Sequence, residues 1–423
     1  MTQATAGSGT PLPHGVQGSA DRNFVVAVRA FAALFPHPRF GGGALAVYLD
    51  GLPVVDIWTG WSDRRGRTHW QADTAPMVFS ATKGVASTVI HRLADRGQID
   101  YDAPIAQYWP EFAANGKAQI TVRDVLRHRS GLSHLGGVRK RELLDHRHME
   151  ERIAAAPVGR HFGKTAYHAL TYGWLLSGLA RSVTGKGMRE LMRTEVAEPL
   201  NTDGIHLGRP PEGAPTTVAR IIGPQLDIPN PLFNAVAPAV AALEVSAAFG
   251  SLYFPGMKSV VQGDIPLLDT ELPSANGVIT ARALAKMYGA LANGGMIGGG
   301  RYLSAQRVAM LTRRRDLRPD RNLVMPLGFH LGYHSLPVPG VLPGFGHVGL
   351  GGCVGWAIPE SGLAFAMVHN RLLTPFIVSD QAGFVATAST VRIGAAAARR
   401  HGFAAVEQFG AHYRRPLADV AAG

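Results

Sequence analysis

Cysteine is almost missing from this chain, and lysine is scarce. Cys353 is the single thiol in 423 residues, which excludes an internal disulfide framework and leaves too few thiols for a structural zinc site. A lone cysteine fits a reducing compartment, so the expected location is cytoplasmic. No stretch approaches the roughly 18 consecutive apolar residues of a membrane helix, and no integral membrane segment is expected. The opening MTQATAGSGTPLPHGVQGSADRN carries neither the basic nor the apolar region of a secretory signal. Residues 1–22 therefore read as a flexible tail. The pentapeptide G-x-S-x-G, the strained elbow of Ser-His-Asp esterases, is also absent. The nearest match, GLSHLG from Gly131, has the wrong spacing.

Acidic charge is in short supply as well. Lys and Arg total 42 against 30 Asp and Glu, a net charge of +12. Such a surplus raises the question of nucleic acid or an anionic surface. The basic residues are dispersed, however, and the clusters at 138–152 and 312–322 are interleaved with acids, as on solvated helix faces. Neither has the interleaved aromatics that stack bases, so no nucleic-acid partner is expected. His146 and His148 lack metal-ligand spacing, and neither a metal nor a cofactor is called for.

What is present begins with two runs, GALAVYLDGLPVVDIWTG (43–60), around Asp50-Gly51, a strong hairpin signal. From Ser80 onward Val85, Val89, Ile90, Leu93 and Ala94 recur at helical spacing until Gly97. From about 103 to 275 the pattern is mostly helical, with Tyr172, Leu175, Leu176, Leu179 and Val183 forming one stripe. Residues 223–272 are rich in Pro, Phe and Gly and read as a long excursion. Their aromatics Phe233, Phe249, Tyr253 and Phe254 are candidates for an acyl-binding cleft; the other reading makes them core of the helical part. A helix in ITARALAKMYGALANGG, a second hairpin in 346–370 and an Ala-rich helix at 385–402 close the chain. The expected fold is α+β: an antiparallel sheet flanked by helices, built from 23–102 and 275–423, with 103–274 as an inserted, mostly helical lobe.

The chemistry concentrates in VFSATKG (78–84). Of seven lysines only Lys83 has a Ser three positions upstream. On a helix, residues i and i+3 share a face one turn apart. Ser80 at the first turn would present its Oγ and N–H at the positive end of the dipole. Lys83 beside it, once desolvated, can serve as a general base. Taken alone, the pair is equally explained by a capping Ser and a surface Lys. Tyr167 stands in the loop before the helix that starts near Leu170, placed to deliver a phenol to a cleft, or simply to pack. The stretch GHVGLGG, with His347 and Gly349 at the head of the late strand pair, would let a ligand approach a strand edge whose N–H forms half of an oxyanion hole.

The ordered set S-A-T-K (80–83), Y-H-A (167–169) and H-V-G (347–349) resembles the serine β-lactamase and penicillin-binding-protein superfamily, and within it the class C-like carboxylesterases of family VIII type. Supporting stretches lie at 120–134, 167–185, 271–295 and 346–370, and the resemblance runs from about residue 23 to about 400. It implies the β-lactamase/transpeptidase-like architecture. It implies Ser80 as nucleophile, Lys83 as its base and Tyr167 as the relay of a proton to the leaving group. The backbone N–H groups of Ser80 and Leu350 would form the oxyanion hole, and His347 and Gly349 would line the substrate site.

Two departures bear on substrate. The β-lactam-processing members carry Asn where this chain has Ala169, and Lys where it has His347. Without those side chains the expected substrate is a small neutral ester of short-to-medium acyl chain, lipid-derived chains included. His347 is expected to act as a part-time cation at acid pH. Acyl transfer, D-amino-acid peptidase or amidase action and weak β-lactamase action share the acyl-serine intermediate, and an inactive ligand-binding module is the non-enzymatic alternative.

Overall fold

The computed structural model describes residues 11–139, 141–223, 266–313, 318–323, 326–336, 342–372 and 377–410. Chain beginning and chain end meet in one nine-stranded antiparallel sheet. Its strands are β1 (Val16–Ala20), β2 (Gly42–Leu49), β3 (Leu52–Gly60), β4 (Arg318–Pro319), β5 (Pro326–His330), β6 (Tyr333–Ser335), β7 (Phe345–Val348), β8 (Val354–Ile358) and β9 (Leu363–His369). Their spatial order is β1-β3-β2-β9-β8-β7-β6-β5-β4. The first hairpin forms at Asp50-Gly51, both residues with positive φ (51° and 77°). That is the demand of a two-residue turn matching the twist of its strands.

The helices that matter here are α1 (Val25–Ala32), α2 (Thr82–Asp95), α3 (His146–Ala155), α4 (Thr171–Thr184), α5 (Ala281–Ala292) and α6 (Ile377–His401). Period-two alternation sorts the central strands onto two cores. Leu45, Val47, Leu49, Leu363, Phe365 and Met367 face α1 and α6. Ala44, Ala46, Tyr48, Ala364 and Ala366 face the other way, into the core that holds α2, α4 and α5. Small side chains on that face let α5 lie close over β2, β8 and β9. Arg282 of α5 clamps Asp56 of β3 with two hydrogen bonds of 2.7 and 3.0 Å, both side chains being buried.

Two sequence expectations change. Residues 16–20, read as part of a flexible tail, are β1, paired in register with β3 from Val16↔Thr59 to Ala20↔Val55. A short polar segment can still serve as an edge strand, because only one of its sides has to pair. The closing helix starts at Ile377, earlier than its Ala-rich part suggests. Among the described residues, no helix is long and apolar enough to cross a membrane. Phe233, Phe249, Tyr253 and Phe254 lie outside the described residues.

Candidate active site

Ser80 sits in a tight turn, Phe79–Ala81, that runs straight into α2. Phe79 has φ +49°, a left-handed conformation that a bulky side chain adopts only under constraint. The constraint is visible. Thr82 Oγ1 donates to Phe79 O at 2.6 Å and accepts from Gly277 N at 3.0 Å, while Val78 N donates to Gly277 O at 2.8 Å. The serine turn is therefore held at the helix entrance by Gly277, in the short strand Gly277–Ile279.

Lys83 is fully buried. Its Nζ lies 3.2 Å from Ser80 Oγ, 2.7 Å from Ala169 O and 2.9 Å from Ser274 O. Desolvation pushes its pKa well below the ordinary lysine range. The partner set suits the neutral amine. A neutral amine could spend its two N–H donors on the two carbonyls and turn its lone pair to Ser80 Oγ.

Tyr167 is also buried, at the end of the loop that leads to α4. Its ring stacks on Phe329 (5.6 Å, 19°), tilts against His128 (5.0 Å) and has Lys83 Nζ 5.0 Å from its centroid. Burial raises the phenol pKa, and a hydrogen bond with Ser80 pulls the other way. The phenol is neutral at physiological pH and retains its proton.

Gly349 follows β7 and lies against the serine turn. A Cβ there would stand 2.1 Å from Val78 O and 3.3 Å from Ala81 N, so only glycine permits the approach. Its own N–H donates to Cys353 O at 2.7 Å. Leu350 comes next, half-buried, opening a short turn. Among the described residues neither the Ser80 nor the Leu350 N–H has a hydrogen-bond acceptor. Both donors remain available to a developing oxyanion.

His347 lies on β7, buried, its ring 6.4 Å from that of Tyr167 and 4.9 Å from that of His334. Its Nδ1 sits 3.1 Å from Val348 O. A carbonyl can only accept, so Nδ1 carries the proton and Nε2 is left as an acceptor. Burial, then His334 and Lys83, hold its pKa well below the ordinary histidine value. Burial thus works against the part-time cation expected at acid pH, because protonation would place a charge in a desolvated site.

Ser80, Lys83, Tyr167, His347, Gly349 and Leu350 thus converge on the entrance of α2. Sequence reasoning missed the carbonyls of Ala169 and Ser274, the ring platform of His128 and Phe329, and the Thr82–Gly277 lock. Every residue has a carbonyl, so composition carried no signal for the first two. A cavity of about 490 Å³ lies on the opposite face of the sheet, between the β8–β9 turn and α6, lined by Arg392, Arg399, Glu360 and Ser361; none of the Ser80 cluster lines it.

The family described as Beta-lactamase matches residues 27–388. The chain is 62% identical over 402 residues to Esterase/beta-lactamase LipL of Mycobacterium tuberculosis, covering 95% of this chain and 94% of that one. Among solved structures it resembles a family VIII carboxylesterase (TM-score 0.75, 30% identity, 89% of this chain and 99% of that one). It also resembles a penicillin-binding protein homolog from Caulobacter crescentus (TM-score 0.75, 28% identity, 90% and 99%).

Proposed function

Because the chain belongs to the beta-lactamase family and is a serine hydrolase of that fold, we propose that it cleaves small carboxylic esters through an acyl-Ser80 intermediate. The observation that carries this reading is the environment of Lys83, a desolvated amine whose two nearest partners are carbonyls and whose third is the Ser80 hydroxyl. In the proposed cycle the Lys83 lone pair takes the Ser80 proton as Oγ attacks the ester carbonyl. The oxyanion rests on the N–H groups of Ser80 and Leu350. Collapse breaks the C–O bond to the alcohol, and Tyr167 passes a proton to the departing oxygen, replenished from Lys83. Water then attacks the acyl-Ser80 by the same route in reverse, releasing the acid and restoring the Ser80 hydroxyl. Ser80, Lys83, Tyr167 and water account for every proton moved.

Esters are favoured over β-lactams by what stands at two positions. Ala169 offers no side-chain amide, and His347 is neutral and acceptor-only. A carboxylate entering beside them would be desolvated without a cation at 347, at a cost of several kcal/mol. The acyl chain is assigned to the 223–272 segment, on the strength of its aromatic composition. Phe249→Ala and Phe254→Ala should then shift chain-length preference with little loss of stability; a loss of about 3–5 kcal/mol with unchanged preference would make them core. A cytoplasmic setting is part of the proposal, supported by the single cysteine.

The test is turnover of p-nitrophenyl esters of increasing chain length, with and without competing alcohols, combined with mass analysis of the Ser80 peptide after rapid quenching. An acyl mass on that peptide and free acid as product are expected. Ester turnover with no acyl-Ser80 would overturn the mechanism, and alcohol-dependent formation of a new ester would make the enzyme an acyltransferase.

A further inference from the structure

We infer that Asp320 and Asn322 are positioning residues for Tyr167, Asn322 gripping its backbone and Asp320 folding the loop, so that the phenol meets Ser80 and the leaving oxygen. This rests on the proposed role of Tyr167 as the proton relay.

The loop 320–323 follows β4, far from Tyr167 in sequence, yet lies alongside Thr165–Tyr167. Asn322 Nδ2 donates to Tyr167 O at 2.9 Å, and Arg321 N donates to Thr165 O at 3.0 Å. The Asp320 carboxylate lies buried in the same loop, and desolvation raises its pKa. Both side chains are buried, at 2% and 1% exposure. Asp320 Oδ1 also accepts from the N–H groups of Asn322 and Leu323, each at 2.8 Å, which folds the loop into the shape that aims the Asn322 amide. The motif tyrosine is thus held through its C=O by Asn322, and Asp320 folds the loop that aims that amide.

The same stretch of chain supplies the ring platform. It continues into β5, whose Phe329 stacks on the Tyr167 ring and also packs edge-on against His128, which tilts against the same tyrosine. Backbone and ring are therefore fixed by one segment. A carboxylate buried on backbone N–H groups, its pKa raised by desolvation, is an expensive way to close a loop. Holding a reacting group in place is where such an arrangement matters, since a displacement of about 1 Å can lower a rate by about 10²-fold.

The experiment compares kcat/KM for ethyl butyrate with that for p-nitrophenyl butyrate in wild type, Tyr167→Phe, Asn322→Asp, Asn322→Ala and Asp320→Ala. The alkoxide needs a proton to leave and the nitrophenolate does not. The ratio of the two values, taken on one preparation, is independent of the fraction folded. Asn322→Asp keeps the volume but sets an acceptor against the Tyr167 carbonyl. The ratio should fall at least about tenfold in the Asn322 and Asp320 variants, in the direction set by Tyr167→Phe. If Tyr167→Phe lowers the ratio and the loop variants leave it at the wild-type value, the positioning role is wrong and the site reading stands. If Tyr167→Phe itself leaves the ratio unchanged, the relay role fails and the inference falls with it.

Discussion

The carbonyl oxygen of Ala169 lies 2.7 Å from Lys83 Nζ, so the second motif reaches the lysine through its backbone. With Ser274 O at 2.9 Å on the other side, the amine is oriented by two groups that no substitution of their own side chains removes. The third contact of Nζ is Ser80 Oγ, at 3.2 Å.

Ser80→Ala should abolish ester hydrolysis and leave the fold intact. Loss of the nucleophile from a cooperative set costs on the order of 10⁶ in kcat. Retention of even a tenth of wild-type turnover, with circular dichroism unchanged, would remove Ser80 from the mechanism.

Lys83→Arg should be nearly as damaging as Lys83→Ala, because a guanidinium stays protonated. The wild-type pH profile carries the same information. Activity needs the neutral amine, whose fraction rises with pH through the Lys83 pKa. Burial moves that pKa well below the ordinary lysine range. The rise in kcat/KM should therefore level off well below about pH 10, where an unperturbed lysine would titrate. A profile still climbing at that pH would show that Lys83 is not the titrating base.

Stability reports the same shift. In the window between the depressed folded pKa and about 10.4, the unfolded chain holds a proton on Lys83 that the folded chain does not. Wild-type stability should thus gain with rising pH in that window, a contribution that Lys83→Met lacks. The difference in Tm, Lys83→Met minus wild type, should shrink from neutral pH toward pH 10. A difference constant with pH would mean that folding does not shift the Lys83 pKa.

A chromogenic cephalosporin should be cleaved slowly or not at all beside p-nitrophenyl butyrate, when kcat/KM is compared at neutral pH. Since burial pushes the His347 pKa well below the ordinary histidine value, residual β-lactam turnover should not increase as pH falls from 7 to 5. A cephalosporin value matching the ester would reverse the substrate assignment, and growth toward acid pH would show that His347 does take a proton.

Arg282→Ala should cost about 3–5 kcal/mol of stability, because it leaves the Asp56 carboxylate buried without its partner. Chemical denaturation measures this directly. Replacing both, Asp56→Leu with Arg282→Met, should recover most of the loss. A single variant as stable as wild type would mean that the pair does not anchor α5 to the sheet.

By itself the sequence determined the local pieces. Asp50-Gly51 between two apolar runs specified a hairpin, the spacing from Val85 to Ala94 specified α2, and S-x-x-K with Tyr167 and H-V-G specified which residues to gather. Each of these rests on neighbours within a few positions, where turn geometry and helical period are decided by the residues themselves. Tertiary structure decided the rest. Whether Lys83 is a base depends on its burial and on two carbonyls 86 and 191 residues away. Whether His347 is a cation depends first on its burial and then on His334 and Lys83 closing around it. β1 became a strand because β3 presented a free edge, and Asn322 reached Tyr167 because folding brought distant segments side by side. Burial and backbone partners exist only after the chain has folded, so their effects on proton affinity have no counterpart in the order of residues.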